Sequence, residues 1–412
     1  MTCRSVLILL LAQFAVALPI FSAPQGQPRV SAIARSLRSS EERPSDNETS
    51  DDTVKAHPGP WGDLEWSSMY LEAPDYILKT MQTPDRAPRW IFPSTTKAAI
   101  HELFARATLP ADMEQQLLDS ATPDENGAIV LHPKSEDIEG LKPEARQLIY
   151  SELAKSPLNE FHRDPLIITG SLDEWLRDSR LRRELQDDIR RLAYQSGHTT
   201  VFSDIRLLVT HAKSTEEERQ ICRAITRTRT LMGQLRITPS SNAKQLIEYW
   251  TGGHSASDVM PMLEAATDRT GGMTIDVSHF LPPFARRRLY TFPAPDLLVR
   301  GRLPDCHWTS LNFFNAVTQD YYLDMRLAAS RLMENYTVVD SPYHFGDMLC
   351  LLNPDGQAIH SCIYIADDVV FTKNGENGVR PWILMPLQEV RDYYSRDSSV
   401  LKGFRRKVPG PI

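Results

Sequence analysis

Apolar positions follow two different periods along this chain, and the change between them falls near Pro293. Between residues 58 and 293 the helical period prevails. Ser171-Leu172-Asp173-Glu174 is a capping box, in which hydroxyl and carboxylate satisfy backbone N–H groups reciprocally. Leu181, Leu185, Ile189 and Leu192 follow at helical spacing, and Gly197 is placed to close that helix. Ser214 with Glu217 opens another, which carries Ile221, Cys222 and Ile225 on one face. The same spacing predicts helices over Thr96–Ala107, Pro143–Ala154, Asn242–Trp250 and Val259–Ala266, with no internal repeat at a fixed period. Residues 58–293 therefore read as a mainly helical accessory domain. Beyond Pro293-Ala294-Pro295 one helix, His307–Thr318, precedes strands over Asp347–Leu352, Ile359–Ala366 and Val369–Lys373. A helix followed by antiparallel strands predicts an α+β domain over residues 294–412.

The first residues read differently. Arg4 is the only charge before an apolar run from Val6 to Phe21, and Ala15-Val16-Ala17 offers a small-x-small cleavage site. Residues 1–22 are thus expected to be a cleaved export signal. The run is shorter than the ~20 residues a spanning helix needs, so no stable membrane span is expected after cleavage. Residues 23–57 are rich in Ser, Pro, Glu and Asp and poor in aromatics, which predicts a disordered linker. Together these features predict a secreted or periplasmic protein of the cell envelope.

Composition narrows the function classes. A formal net charge of -7 gives no global reason to expect nucleic-acid binding. No metal-ligand spacing and no glycine-rich phosphate loop is present, so neither metal nor cofactor is expected. Beyond the signal the cysteines are Cys222, Cys306, Cys350 and Cys362. Cys350 and Cys362 fall in consecutive predicted strands and are either core thiols or a cross-strand pair.

Cys306 stands apart. In Leu303-Pro304-Asp305-Cys306-His307-Trp308 it falls where a loop becomes a helix. Unpaired N–H groups and the helix dipole there favour the thiolate, the form that attacks a carbonyl. His360 begins a predicted strand after a turn, which would hold it rigidly enough to act as base. His307 projects about 100° away around the helix and is a poor base on that ground. It is expected, with Trp308, to line the substrate cleft.

These residues resemble the NlpC/P60-type peptidases. Asp305-Cys306 opening a helix is similar to their nucleophile segment, and Phe345-Gly346-Asp347-Met348-Leu349 to their Gly-Asp turn into the first core strand. His360 with Ile363-Tyr364-Ile365 is similar to their histidine strand. The order is also theirs, over roughly Asp296 to Tyr394. The resemblance implies a papain-like fold and a cysteine hydrolase that cleaves an amide bond in peptidoglycan peptide stems. His307 and Trp308 replace the family's usual Ser or Thr and Gly, and Cys362 stands where a Gly is common.

Such enzymes add a polar group that orients the histidine, and the family pattern reaches Thr372. If the hairpin turn centres on Asp367-Asp368 and Ile365 faces Val370, the face of His360 carries Lys373. One extra residue brings Thr372 and Asn374 onto it instead. An amide oxygen accepts an imidazole N–H and a lysine does not, so Asn374 is the expected third catalytic residue, with Thr372 as the alternative. Two other classes stay open: a cysteine amidase or acyltransferase on another envelope substrate, and a non-catalytic envelope-binding protein.

Overall fold

The computed structural model describes residues 53–81, 87–252, 259–294, 297, 303–394 and 399–407. The expected export signal and most of the expected linker lie outside them. The chain divides into two compact units, one formed by residues 53–77 together with 228 onward, the other by residues 78–227. The boundary therefore does not fall at Pro293. Mixed helices and antiparallel sheets build the fold, an α+β architecture.

In the unit of residues 53–77 and 228 onward, six antiparallel strands form the main sheet. Their order is Tyr336–Val339, Val400–Arg406, Met348–Leu352, Ala358–Ala366, Val369–Lys373, Trp382–Pro386. The three predicted strands occupy consecutive places in it. The helix Cys306–Asn312 packs on Ala358–Ala366, and it ends before the predicted Thr318. Asn312 stops it: its amide donates to the Trp308 carbonyl at 3.0 Å and its oxygen accepts from the Gln319 backbone N–H at 2.7 Å.

Residues before Pro293 belong to the same body because their apolar faces share its core. Asp63–Leu71 and Thr228–Ile237 pair antiparallel within a four-stranded sheet, flanked by Val54–Lys55 and Met273–Asp276. Trp66, Leu231 and Leu235 from this sheet lie in one cluster with Trp308, Ile363 and Phe371. Thr230 Oγ1 donates to the Leu384 carbonyl and accepts from its N–H, at 3.1 and 3.0 Å. Arg229 pairs with Glu389 at 2.8 Å, with both side chains nearly inaccessible to water. The backbone of Tyr290 and Thr291 bonds to both backbone groups of Trp382. The expected linker also ends earlier than residue 57: Val54–Lys55 is a paired strand, and His57 Nδ1 meets Asp367 Oδ1 at 2.7 Å.

The unit of residues 78–227 is less purely helical than expected. It holds two three-stranded antiparallel sheets, Trp90–Phe92 with Ile129–Leu131 and Thr122–Pro123, and Leu166–Ile168 with Thr199–Phe202 and Tyr194–Ser196. Each strand triplet follows one plan: a strand, two helices, then a hairpin whose second strand returns to pair with the first. The helix pairs are Lys97–Arg106 with Ala111–Asp119, and Leu172–Arg177 with Arg183–Leu192. The plan thus occurs twice, although no fixed period marks it in sequence. Arg180, at φ 59°, divides what the apolar spacing presents as one continuous helix, and Gly197, at φ 62°, turns a hairpin rather than closing a helix. The N-caps hold as predicted: Ser171 accepts from the Glu174 N–H at 3.0 Å, and Ser214 from that of Glu217 at 3.2 Å.

Candidate active site

Asp305 starts the helix that carries the candidate nucleophile. Its carboxylate accepts the Trp308 N–H at 2.7 Å, which leaves Cys306 as the first helical residue. Three buried polar groups then fix this helix on the sheet. Trp382 Nε1 donates to Thr309 Oγ1 at 3.0 Å. Ser361 Oγ donates to the Cys306 carbonyl at 3.2 Å and lies 3.1 Å from Ser310 Oγ and 3.0 Å from His307 Nδ1. A hydroxyl has one proton and two lone pairs. Giving its proton to the carbonyl leaves Ser361 free to accept from Ser310 and from the His307 ring N–H, which orients that imidazole.

The Gly-Asp turn is structural. Gly346 adopts φ 88°, and a Cβ there would sit 2.3 Å from the Phe314 ring. Asp347 is buried, accepts the His344 N–H at 2.8 Å, and takes both arms of the Arg405 guanidinium at 2.8 and 2.7 Å. This clamp joins the turn to the Val400–Arg406 strand, which pairs along Met348–Leu352.

His360 is wholly buried. Its Nε2 lies 2.9 Å from Thr372 Oγ1, and its Nδ1 has no hydrogen-bond partner among oxygen and nitrogen atoms. The Tyr394 ring stacks on the imidazole at a centroid distance of 4.0 Å and 16°. Position and tilt of this histidine are thus fixed from two sides. The parity of the hairpin explains the threonine. Asp367 and Asp368, both at positive φ, make a two-residue turn, and a bulge between Tyr364 and Ala366 inserts one extra residue. Tyr364 then faces Val370, so Thr372 and Asn374 share the face of His360. Asn374 does not reach the ring. Its amide nitrogen contacts Met385 Sδ at 3.7 Å and its oxygen has no partner. Thr372 replaces Asn374 as the group on the histidine, because the Asn374 amide turns to Met385 and the threonine hydroxyl is the one within reach of the ring.

The sulfur of Cys306 interacts with two imidazoles. Burial pushes the thiol up. The His307 charge, the His360 charge and a hydrogen bond from each outweigh it and hold the thiol well below its ordinary value. For His307 burial works downward, whereas the thiolate beside it, Asp305 and a backbone contact at Ala358 raise it to about 9. His307 was expected to face away from the sulfur, because helical spacing alone separates neighbours by ~100°. That spacing describes where side chains leave the helix and not where a long ring ends. Trp308, expected in the cleft, is core instead: it is 1% exposed and packs edge-on against Phe284. Tyr394, Ser361 and the sulfur contact of His307 had no signal in the sequence, since each depends on which strand or helix face meets the site.

Cys350 and Cys362 are free thiols. They lie on opposite faces of the sheet, Cys350 in the core under the nucleophile helix and Cys362 in the core on the other side. Burial raises both, so Cys306 alone of the three is poised to ionise. Lys373 is fully buried, its ammonium donating to the Gly375 and Asn377 carbonyls at 2.7 and 3.0 Å. It closes the loop after the threonine strand. Among the described residues no helix is long and apolar enough to cross a membrane. Comparison of the chain with protein-family models, curated proteins and solved structures finds no match.

Proposed function

We propose that the chain is a papain-like cysteine hydrolase that cleaves an amide bond through Cys306. The observation that carries this reading is the sulfur at the first turn of a buried helix, flanked by His307 and His360, whose charges and hydrogen bonds favour its thiolate. A nucleophile, a base and a group that orients the base recur together where covalent acyl transfer is performed. Cys306, His360 and Thr372 fill those three roles. The helix on an antiparallel sheet, and the order of the Cys, Gly-Asp and His segments, support the likeness to NlpC/P60-type peptidases. The peptidoglycan stem as substrate, and the envelope as location, rest on that likeness alone.

In the proposed reaction the Cys306 thiolate attacks the amide carbonyl. The N–H at the start of the helix, which has no intrahelical partner, faces the developing oxyanion. The proton lost by the thiol is held on the flanking imidazoles and passes to the leaving nitrogen as the C–N bond breaks. A thioester and a free amine result. His360 then takes a proton from water, the hydroxide adds to the thioester, and the thiolate leaves with a carboxylic acid as the second product.

Muropeptides incubated with the full chain and resolved by mass spectrometry should yield defined fragments that disappear in Cys306→Ala and His360→Ala. Intact muropeptides beside a reactive Cys306 would discard the wall substrate and keep the acyl chemistry. The pH profile tests the two imidazoles. Activity should rise from well below the ordinary thiol range, where the thiolate forms, and fall near pH 9 as His307 gives up its proton. In His307→Gln the rising limb should move upward and the limb near 9 should vanish; an unchanged profile would remove His307 from the ion pair. Thr372→Val should lower kcat roughly tenfold or more by freeing the His360 ring, and Thr372→Ser should recover most of it. Equal losses in both variants would mean that the hydroxyl does not matter.

A further inference from the structure

Next to the nucleophile the sheet and a second helix enclose an apolar recess, about 550 Å³ including its open mouth. Ala329, Leu332 and Met333 of the Met325–Asn335 helix line one side. Met348, Cys350 and Phe404 of the sheet line the other, the first two on one face by strand alternation. The only imidazole in the lining is His307, which also touches the sulfur of Cys306. We infer that this recess binds an unbranched aliphatic acyl chain whose carbonyl carbon lies at Cys306.

Three observations point to that occupant. Beyond the His307 imidazole no ionisable side chain but the Cys350 thiol lines the recess, so whatever enters must be apolar along the rest of its length. Burial raises that thiol and leaves it a small apolar lining group. The one imidazole of the lining is the one that holds the nucleophile, so a ligand with one reactive polar head and an apolar tail matches its chemistry. The lining is alanine, leucine and methionine with one aromatic ring, and methionine adapts to chains of different length. The inference deepens the proposed acyl transfer at Cys306 and rests on it. It makes the acyl half of the scissile bond, rather than the amine half, the part that is recognised.

Two measurements on the full chain separate the recess from the chemistry. The first titrates cis-parinaric acid into Cys306→Ala, which needs no catalysis. Saturable fluorescence, displaced by dodecanoate and weakened at least tenfold by adding Ala329→Trp, is the expected result. Leu332→Trp serves as a second filled variant should Ala329→Trp melt early. No saturable binding, or binding that neither tryptophan disturbs, overturns the recess. The second compares wild-type kcat/KM on p-nitrophenyl esters from acetyl to dodecanoyl. Each methylene that enters should raise kcat/KM by about fourfold until the recess is full. Turnover that is flat with chain length overturns the recess. Binding in Cys306→Ala without any ester turnover in wild type would keep the recess and reject the catalytic reading.

Discussion

Iodoacetamide given in limiting amount to the native chain should label Cys306 first, roughly a hundredfold or more faster than Cys350 or Cys362 at neutral pH. The physical basis is the contrast among three buried thiols. Two have burial and neighbouring sulfurs, Cys306 among them, which raise them, and the third has two imidazoles that outweigh its burial. Cys306→Ala should abolish the fast label and lower turnover by ~10⁴-fold or more, as expected when a covalent nucleophile is lost. Cys306→Ser should do nearly as badly, because the imidazoles that stabilise a thiolate meet a hydroxyl that ionises far less readily. Peptide mapping of the labelled chain decides the matter. A Cys306 that reacts no faster than an unstructured thiol would end the hydrolase reading, whatever substrate was tried.

The second large effect concerns stability. Arg229→Met should cost about 3–5 kcal/mol, because it leaves the Glu389 carboxylate buried without its partner. The two side chains are 2% and 3% exposed, so water cannot replace the guanidinium. The double variant Arg229→Met with Glu389→Met should recover most of that loss, since apolar replacement of a whole buried pair is often neutral. Chemical denaturation of the wild type and the two variants measures both numbers. A single variant that loses less than about 1 kcal/mol would show that the pair is solvated in solution. The pair ties the Thr228–Ile237 strand to the Leu387–Tyr394 helix, and that helix carries the tyrosine stacked on His360. Some loss of activity should therefore accompany the loss of stability in Arg229→Met.

Much of the site could be read from the sequence because its residues sit at local signals. Asp305 is a helix cap, and a cap fixes where the helix begins, so the position of Cys306 followed from one residue. Gly346 and Asp347 announce a turn, and the strand of His360 shows in its β-branched and aromatic run. Lys373 against Thr372 and Asn374 is a question of parity, and a single bulge near Ile365 settles it. Bulges leave no reliable mark in one sequence. The division of the chain was hidden for a different reason. Asp63–Leu71 and Thr228–Ile237 are partners across the whole intervening unit, and neither carries a signal that names the other. Apolar spacing likewise showed that Leu181 and Leu185 are buried but not that Arg180 breaks the helix before them. The contact of His307 with the sulfur is hidden because position on a helix does not fix the reach of a ring.

The Val400–Arg406 strand is interior to its sheet, with Tyr336–Val339 on one side and Met348–Leu352 on the other. Arg405 of this strand also completes the clamp on Asp347. On the ribosome this strand follows Cys306 by nearly a hundred residues' worth of synthesis, and no neighbouring pairing can stand in for it. A polypeptide released before Val400 would expose the edge of Met348–Leu352 and leave the Asp347 carboxylate without its guanidinium.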